Sequence, residues 1–336
     1  MLLSLNHLLR SIRTMRRVVR WKLGLMFCVS MLFVSSGATC IPRRSHNEFQ
    51  PPVLFQTSPD INQLANAINR TRAVNQLQSN AVKVKIPDIP TLSAQIVWER
   101  PRRFRMTGGL SSIMGTDFDL GSNEEVFWMA TRHGPSPTLY FARHDQFESQ
   151  VDRQILPVSP EWLIEAMGIV ELDPSHVIGT PRPDANGLIE IESAIASPIG
   201  QYRRTIYVDP KLGLVRRIFL RDPSGRLLAS SILSNHQFYP AIQTSLPHKA
   251  EVQLIPSGGP PMNLQVDIGF YTVNDNQGQD PNRWIAPQLA GYTPIDLVLL
   301  NSNQPNAVRV PQYQAASPKI PQTSYRGVNG MESFQR

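Results

Sequence analysis

The chain has 336 residues, with 33 Lys and Arg against 26 Asp and Glu for a net charge of +7. Six of the bases (Arg10, Arg13, Arg16, Arg17, Arg20, Lys22) precede Leu23 and the first acid is Glu48, so the chain beyond them holds 27 bases and 26 acids and its basicity does not indicate a nucleic-acid partner. The only cysteines are Cys28 and Cys40, which excludes a disulfide framework once Cys28 is removed with a leader.

The basic N-terminus is followed by an apolar run, Leu23 to Val34, and then by the small residues Ser35, Ser36, Gly37, Ala38 and Thr39. That order predicts a signal peptide over residues 1–39, because a run of this length falls short of the roughly 20 residues of a membrane span. Met15 is an alternative start, since Met15-Arg16-Arg17 opens a leader of ordinary length. Cys40 stands where cleavage is expected and resembles the lipidated first residue of a bacterial lipoprotein. Gly37 and Thr39 depart from that pattern, which has Leu and Gly or Ala at those places. Cleavage after Ala38 and retention of the leader as an anchor remain open beside lipidation of Cys40. Residues 40–57, with Pro42, Pro51 and Pro52, read as a flexible tether.

Ser58-Pro59 signals a helix start, and Ile61, Leu64 and Ile68 continue at helical spacing, predicting a helix to about Asn80. From Ala81 the period changes to two. Val82, Val84 and Ile86 alternate with Lys83 and Lys85, then Ala94, Ile96 and Trp98 with their neighbours, as in half-buried antiparallel strands. A meander over 94–142 follows, broken at Arg100-Pro101 and at Gly121-Ser122-Asn123. Ser159-Pro160 opens a short helix with an apolar stripe of Trp162, Leu163, Ala166 and Met167, which Gly168 closes. Strands are expected again at 188–192, 202–208, 214–220, 227–233, 249–255 and 264–271, with turns at Asp209–Gly213 and Asp222–Gly225. Residues 284–296 read as a closing segment. The Asn-, Gln-, Pro- and Ser-rich stretch 301–336 lacks the apolar side chains to order itself. The folded domain is therefore placed at 58–300.

In its order of features the chain resembles the LolA/LolB superfamily of periplasmic lipoprotein carriers and outer-membrane lipoprotein receptors. The resemblance rests on the corner Arg100-Pro101-Arg102-Arg103-Phe104-Arg105, the strand pair Phe118 to Trp128 about a polar turn, the helix Ser159 to Ile164 and the late hairpin Gly213 to Ile232, and covers roughly 60–296. It implies an α+β fold: an incomplete, strongly curved antiparallel β-barrel (half-barrel) with an N-terminal helix and a short lid helix over an apolar cavity for acyl chains. It also implies that Arg100 latches the lid. The alternative for Arg100 is a solvated base at a strand end. Candidate lining residues are Ile96, Trp98, Phe104, Met106, Phe118, Leu120, Trp128, Leu139 and Phe141, with Trp162 and Met167 from the lid. The same side chains serve equally as ordinary core between sheet and helix, and only every second strand residue can face inward.

No nucleophile elbow, phosphate loop, zinc-type cysteine pair or H-E-x-x-H motif is present, so no catalytic residue, metal or cofactor is assigned and the chain is not read as an enzyme. Asp117 with Asp119, and Glu190 with Glu192, read as solvated strand faces in preference to cation ligands. His133, His144, His176, His236 and His248 read as surface or hydrogen-bonded structural histidines. The expectation is a non-enzymatic lipoprotein of the cell envelope, membrane-anchored through Cys40 and facing the periplasm, on the outer membrane in preference to the inner. It would bind acyl chains of lipoproteins or lipids, with a further envelope protein as a partner and no nucleic acid. Two alternatives use the same fold: an envelope-stress sensor, and a structural lipoprotein whose sheet is filled by its own side chains.

Overall fold

The computed structural model describes residues 49–110, 116–132, 136–275, 280–288 and 290–301; the expected leader, Cys40 and nearly all of the expected tail lie outside these. The strands are β1 (Gln76–Ile86), β2 (Ile89–Glu99), β3 (Arg103–Gly109), β4 (Phe118–Ser122), β5 (Val126–Thr131), β6 (Thr138–Arg143), β7 (Val177–Pro183), β8 (Ile189–Ser197), β9 (Gly200–Val208), β10 (Val215–Arg221), β11 (Leu227–Tyr239), β12 (Thr244–Leu254), β13 (Met262–Ile268), β14 (Thr272–Val273) and β15 (Thr293–Asp296). The helices are α1 (Ile61–Ile68), α2 (His144–Glu148), α3 (Pro160–Ala166) and α4 (Leu297–Asn301).

All described strands belong to one sheet, in the order β15-β6-β5-β4-β3-β2-β1-β13-β12-β11-β10-β9-β8-β7, with β14 paired to β1 beyond the end of β13. Every pair is antiparallel except β15 on β6. β7 and β15 remain as free ends, so the curved sheet does not close and the expected half-barrel with few helices is the observed architecture.

Helix α1 starts from Asp60, one residue past the expected Ser58-Pro59 signal. Its carboxylate accepts from the Gln63 N–H at 2.8 Å while the Gln63 side chain accepts from the Asp60 N–H at 2.9 Å, a reciprocal capping box. The helix ends at Ile68, well before Asn80. Asn69 exchanges two 2.8 Å hydrogen bonds with the main chain of Leu172, and Thr71 Oγ1 donates to the Val170 carbonyl at 2.6 Å. These long-range bonds draw the chain into a 3₁₀ turn, Asn69–Ala73, and β1 begins at Gln76 instead of Ala81. The last residues of the expected tether, 40–57, contact the sheet and the core. The Leu54 and Phe55 N–H groups donate to the Lys211 carbonyl, and Phe55 packs against the core.

Cross-strand register determines what each face carries. Leu77 opposes Trp98, Trp98 opposes Phe104, Ile96 opposes Met106 and Met106 opposes Leu120, so these side chains share the inner face. Two apolar clusters cover it. One joins α1, Trp162 and Ala166 of α3 to β8–β12; the other joins Ile164 of α3 and Ile169 to β1, β2, β3 and β13. Each fully buried Leu, Ile or Phe contributes about 1.5–3 kcal/mol by removal from water. The turns foreseen at Asp209 and Asp222 are present: each carboxylate accepts two backbone N–H groups of its own turn, and Asp184 repeats the device between β7 and β8.

The outer face of β3–β5 carries its own buried group. Trp128 is fully buried over Gly121, where an added Cβ would lie 2.1 Å from the ring. The Trp128 indole donates to Asp119 at 3.0 Å, and Asp119 pairs with Arg105 at 2.6 Å. Asp119 is therefore neither a solvated residue nor a cation ligand, since a tryptophan and an arginine on the same face consume its oxygens. Replacement of Gly121 by Ala should cost about 1–3 kcal/mol by overpacking against Trp128. Urea unfolding of Gly121→Ala followed by tryptophan emission measures that loss, and an unchanged midpoint would contradict the packing described.

Candidate functional site

The inner face of β1–β3 forms a hollow, and α3 with the residues after it forms its roof. Leu77, Ile96, Trp98 and Phe104 make the wall, while Ile164, Met167, Ile169 and Tyr271 close the space above, leaving a cavity of about 10 Å³. The chamber is apolar apart from two polar atoms. The Tyr271 hydroxyl is satisfied by the Pro247 carbonyl at 3.0 Å, whereas the buried Trp98 indole N–H has no acceptor.

Helix α3 has seven residues with Pro160 at its first turn, and Glu161 and Glu165 lie on its polar edge. Gly168 takes φ +95° and lets the chain turn back tightly: an added Cβ there would stand 2.4 Å from the Pro247 ring. Charged groups tie this segment to the sheet. Arg204, buried on β9, donates to Glu165 at 2.6 Å, to the Glu171 carbonyl at 2.9 Å and to Ser193 at 3.2 Å. The Ser231 hydroxyl donates to the Ala166 carbonyl at 2.8 Å. Glu161 lies 3.4 Å from Arg102 and 3.7 Å from His144.

Arg100 is a tie of the same kind. Its guanidinium donates to Glu171 at 2.5 Å and to the carbonyls of Val74 at 2.8 Å and Thr71 at 3.0 Å, and it lies 5.2 Å above the Trp98 ring. Glu171 also receives Arg72 at 2.9 Å. The strand-end base therefore joins the wall to the segment that follows the roof.

The structure divides the candidate lining residues. Ile96, Trp98, Phe104 and Met106 are buried in the hollow, and Phe118, Leu120 and Met167 pack against the same cluster. Trp162 lies on the other side of α3, in the cluster with β8–β12. Trp128, Leu139 and Phe141 are not wall residues. Trp128 opposes Gly121 and Phe141, and Ala130 opposes Leu139, so all three sit on the outer face. The error is one of parity: along β5 and β6 the inward residues are Phe127 and Ala142, each one position away. Arg204, Glu165 and Glu171 were missed. Glu165 carried a signal, a carboxylate between Ile164 and Ala166 of an apolar stripe, but its partner comes from a strand far along the chain.

The buried histidines are engaged in hydrogen bonds. His144 meets Ser122 at 3.2 Å and the Asn123 carbonyl at 3.0 Å, and His248 meets Tyr239 at 2.9 Å and the Ile268 carbonyl at 2.8 Å. His236 bridges Arg216 and the Val215 carbonyl, and burial followed by the neighbouring Arg216 charge pushes its pKa down to about 3. His176 lies exposed beside Asp173, and His133 falls outside the described residues. Among the described residues no group of three or more His, Cys, Asp or Glu could hold a metal ion, and no helix is long and apolar enough to cross a membrane.

No family model and no curated protein matches the chain. Among solved structures it is similar to a LolA superfamily protein from Nitrosomonas europaea, at 12% identity over 68% of this chain and 98% of that one with a TM-score of 0.41. It is also similar to a Vibrio parahaemolyticus domain described as an outer membrane lipoprotein-sorting protein, at 11% identity over 66% and 95% with a TM-score of 0.42. A DUF1329 family protein from Desulfovibrio piger matches at 14% identity over 66% and 94% with a TM-score of 0.41. The superfamily named from the order of motifs recurs among these likenesses. The functional reading rests instead on the geometry of wall and roof.

Two roof carboxylates respond to pH in opposite senses. Burial works to raise Glu171, but the hydrogen bonds from Arg72 and Arg100 outweigh it and hold the carboxyl below its ordinary value of 4.5. Its stabilisation is present above 4.5 and is lost as pH falls through the depressed value. Burial raises Glu165 despite Arg204, so its contribution is present below 4.5 and is lost as pH rises through the raised value. In melting temperatures taken from pH 3 to 8, Glu171→Gln should flatten the acid limb and Glu165→Gln the opposite limb. Parallel curves for both variants would remove these carboxylates from the linkage.

Proposed function

We propose that this chain is a non-enzymatic acyl-chain-binding protein of the cell envelope, anchored to a membrane through a lipidated Cys40 and serving in the handling of lipoproteins or lipids. The observation that carries the reading is the apolar hollow of β1–β3 closed by a short helix whose polar edge is attached through side-chain ties. Such a roof can lift without breaking a strand pair, which a continuous core element could not do.

The magnitudes are compatible. About ten methylenes moved from water into the hollow supply about 8 kcal/mol, at about 0.8 kcal/mol each. Against this stand the ties of Arg100, Arg102 and Arg204 and the contacts of Ile164 and Met167, which an entering chain replaces with its own. The unpartnered Trp98 N–H supplies a donor for the carbonyl oxygen of an acyl ester or amide, the polar atom that every such ligand carries.

A second reading is supported by one observation. A cavity of about 10 Å³ is less than a methyl group requires, which is what a structural lipoprotein with a filled sheet would have. Native mass spectrometry of protein purified from an exporting host, before and after solvent extraction, separates the two. Acyl-chain binding predicts copurified lipid or acylated peptide near one-to-one. Trp98→Glu should abolish it with lipidation of Cys40 retained, Trp128→Phe on the outer face should leave it intact, and Arg100→Met should speed uptake of added fatty acid several-fold. A clean apo mass that also refuses added fatty acid would establish the filled-sheet reading.

A further inference from the structure

His248 stands on β12, 2% exposed, and its hydrogen bonds fix which ring nitrogen carries the proton. Nδ1 lies 2.8 Å from the Ile268 carbonyl, which can only accept, so Nδ1 holds the N–H. Nε2 of the neutral ring is then an acceptor, and the Tyr239 hydroxyl at 2.9 Å donates to it. The Tyr239 oxygen in turn accepts the Tyr271 N–H at 3.3 Å. One direction of donation therefore runs from Tyr271 through Tyr239 to His248.

Tyr271 is the residue by which this chain of bonds reaches the hollow. Its side chain is part of the roof, and its ring packs edge-on against His248 with 5.2 Å between centroids. Tyr271 belongs to the link Gly269 to Val273, whose ends are fixed to β1: the Gly269 N–H donates to the Ala81 carbonyl at 2.7 Å and the Asn274 N–H to the Gln76 carbonyl at 2.9 Å. Between those points the link is held by the two-residue β14 and by the bonds of Tyr271, to Tyr239 and from its hydroxyl to Pro247. Pro247, which adjoins His248, lies against Gly168 at the end of the other part of the roof.

A proton on Nε2 reverses this chain of bonds at its end. The ring becomes a donor at both nitrogens, the Tyr239 oxygen has to accept from it, and the phenol proton loses its partner. The groups that face the ring are Tyr239 and His236 of β11, Tyr271 of the link and the carbonyls of Ile268 and Gly269. His236 is itself held neutral, and no Asp or Glu among the described residues forms an ion pair with His248. A buried cation without an anion is costly. Burial accordingly lowers the His248 pKa from its ordinary 6.5, against the two carbonyls, which favour the charge. The closed arrangement is at full strength above 6.5 and weakens as pH falls through the lowered value, because a solvated ring binds the proton more tightly.

We propose that the Tyr239–His248–Tyr271 cluster is a proton-operated gate of the hollow: a proton on His248 releases Tyr271 and opens the chamber at the link between β13 and β14. Neutral medium keeps the chamber shut and acid opens it. That the chamber holds an acyl chain rests on the reading above; the gate acts on the protein without one.

Hydrogen–deuterium exchange of the full chain at pH 7.5 and pH 5, read by mass spectrometry and corrected for the intrinsic pH dependence of amide exchange, tests the gate without a ligand. Peptides covering 268–275 should exchange several-fold faster at pH 5, since each unit by which closure depresses His248 changes the open population up to about tenfold. His248→Gln keeps a polar side chain that does not titrate, so it should remove the difference; His144→Gln, at a histidine buried elsewhere, should retain it. Tyr239→Phe deletes the acceptor of the Tyr271 N–H and should give fast exchange at both pH values. Melting curves establish that each variant is folded at both. Bound fatty acid should leave faster at pH 5 than at pH 7.5 from the parent chain, and at one rate from His248→Gln. Acid-dependent exchange in a chain that takes up no fatty acid at either pH would remove the acyl-chain reading and keep the gate. Equal corrected exchange at the two pH values, or the same difference in His248→Gln, would overturn the gate whatever the hollow binds.

Discussion

The seating of α3 in the open side of the sheet is the contact on which the rest of the structure depends. Seven residues are too few for a helix to persist alone in water, so this one exists because both of its flanks are occupied. Ile164 fills the hollow of β1–β3, and Trp162 and Ala166 complete the cluster above β8–β12. The helix thereby joins two apolar layers that the long sheet would otherwise leave as separate concave surfaces. An element held by tertiary contacts alone is also one that can exchange those contacts for a ligand's.

Charge determines where the helix sits. Arg204 reaches from β9 to Glu165 and to the main chain at Glu171, while Arg100 reaches from the end of β2 to Glu171 and to the turn after α1. Three distant segments thus meet at two consecutive stretches of roof. The ion pairs of Glu171 add modest stability because Glu171 and Arg72 are well exposed. Their main contribution is positional: the planar guanidinium forks accept one arrangement of carbonyl and carboxylate, and that arrangement places Ile164 over Trp98. The two cavities flanking α3 differ in size and lining, one apolar and nearly filled, the other larger and lined by charged and apolar side chains together.

The two faces of the sheet show how one residue of parity alters a functional reading. Trp98 and Trp128 look alike in the sequence, each an aromatic in an alternating strand. Trp98 faces the hollow, whereas Trp128 packs on the outer face over Gly121 and is held there by Asp119 and Arg105. Alternation tells which residues share a face but not which face is inside. Where both faces of β5 carry large apolar side chains, the pattern offers no sign of its own.

Local chemistry was legible in the chain itself. The alternation along Val82 to Ile86 and Ala94 to Trp98, the Asx turns at Asp209 and Asp222, the proline and glycine that bound α3, and the order of motifs that indicates a half-barrel all depend on neighbours within a few residues. Tertiary structure decided the rest because it depends on partners far apart in sequence. Leu172 ends α1 through Asn69, Arg204 anchors Glu165, and register carries Leu139 and Phe141 outward. The hollow, its roof and the cavity behind it are products of those distant pairings. No period or motif encodes them, because the free energy that selects them arises only when the sheet curves and brings the two halves of the chain to the same helix.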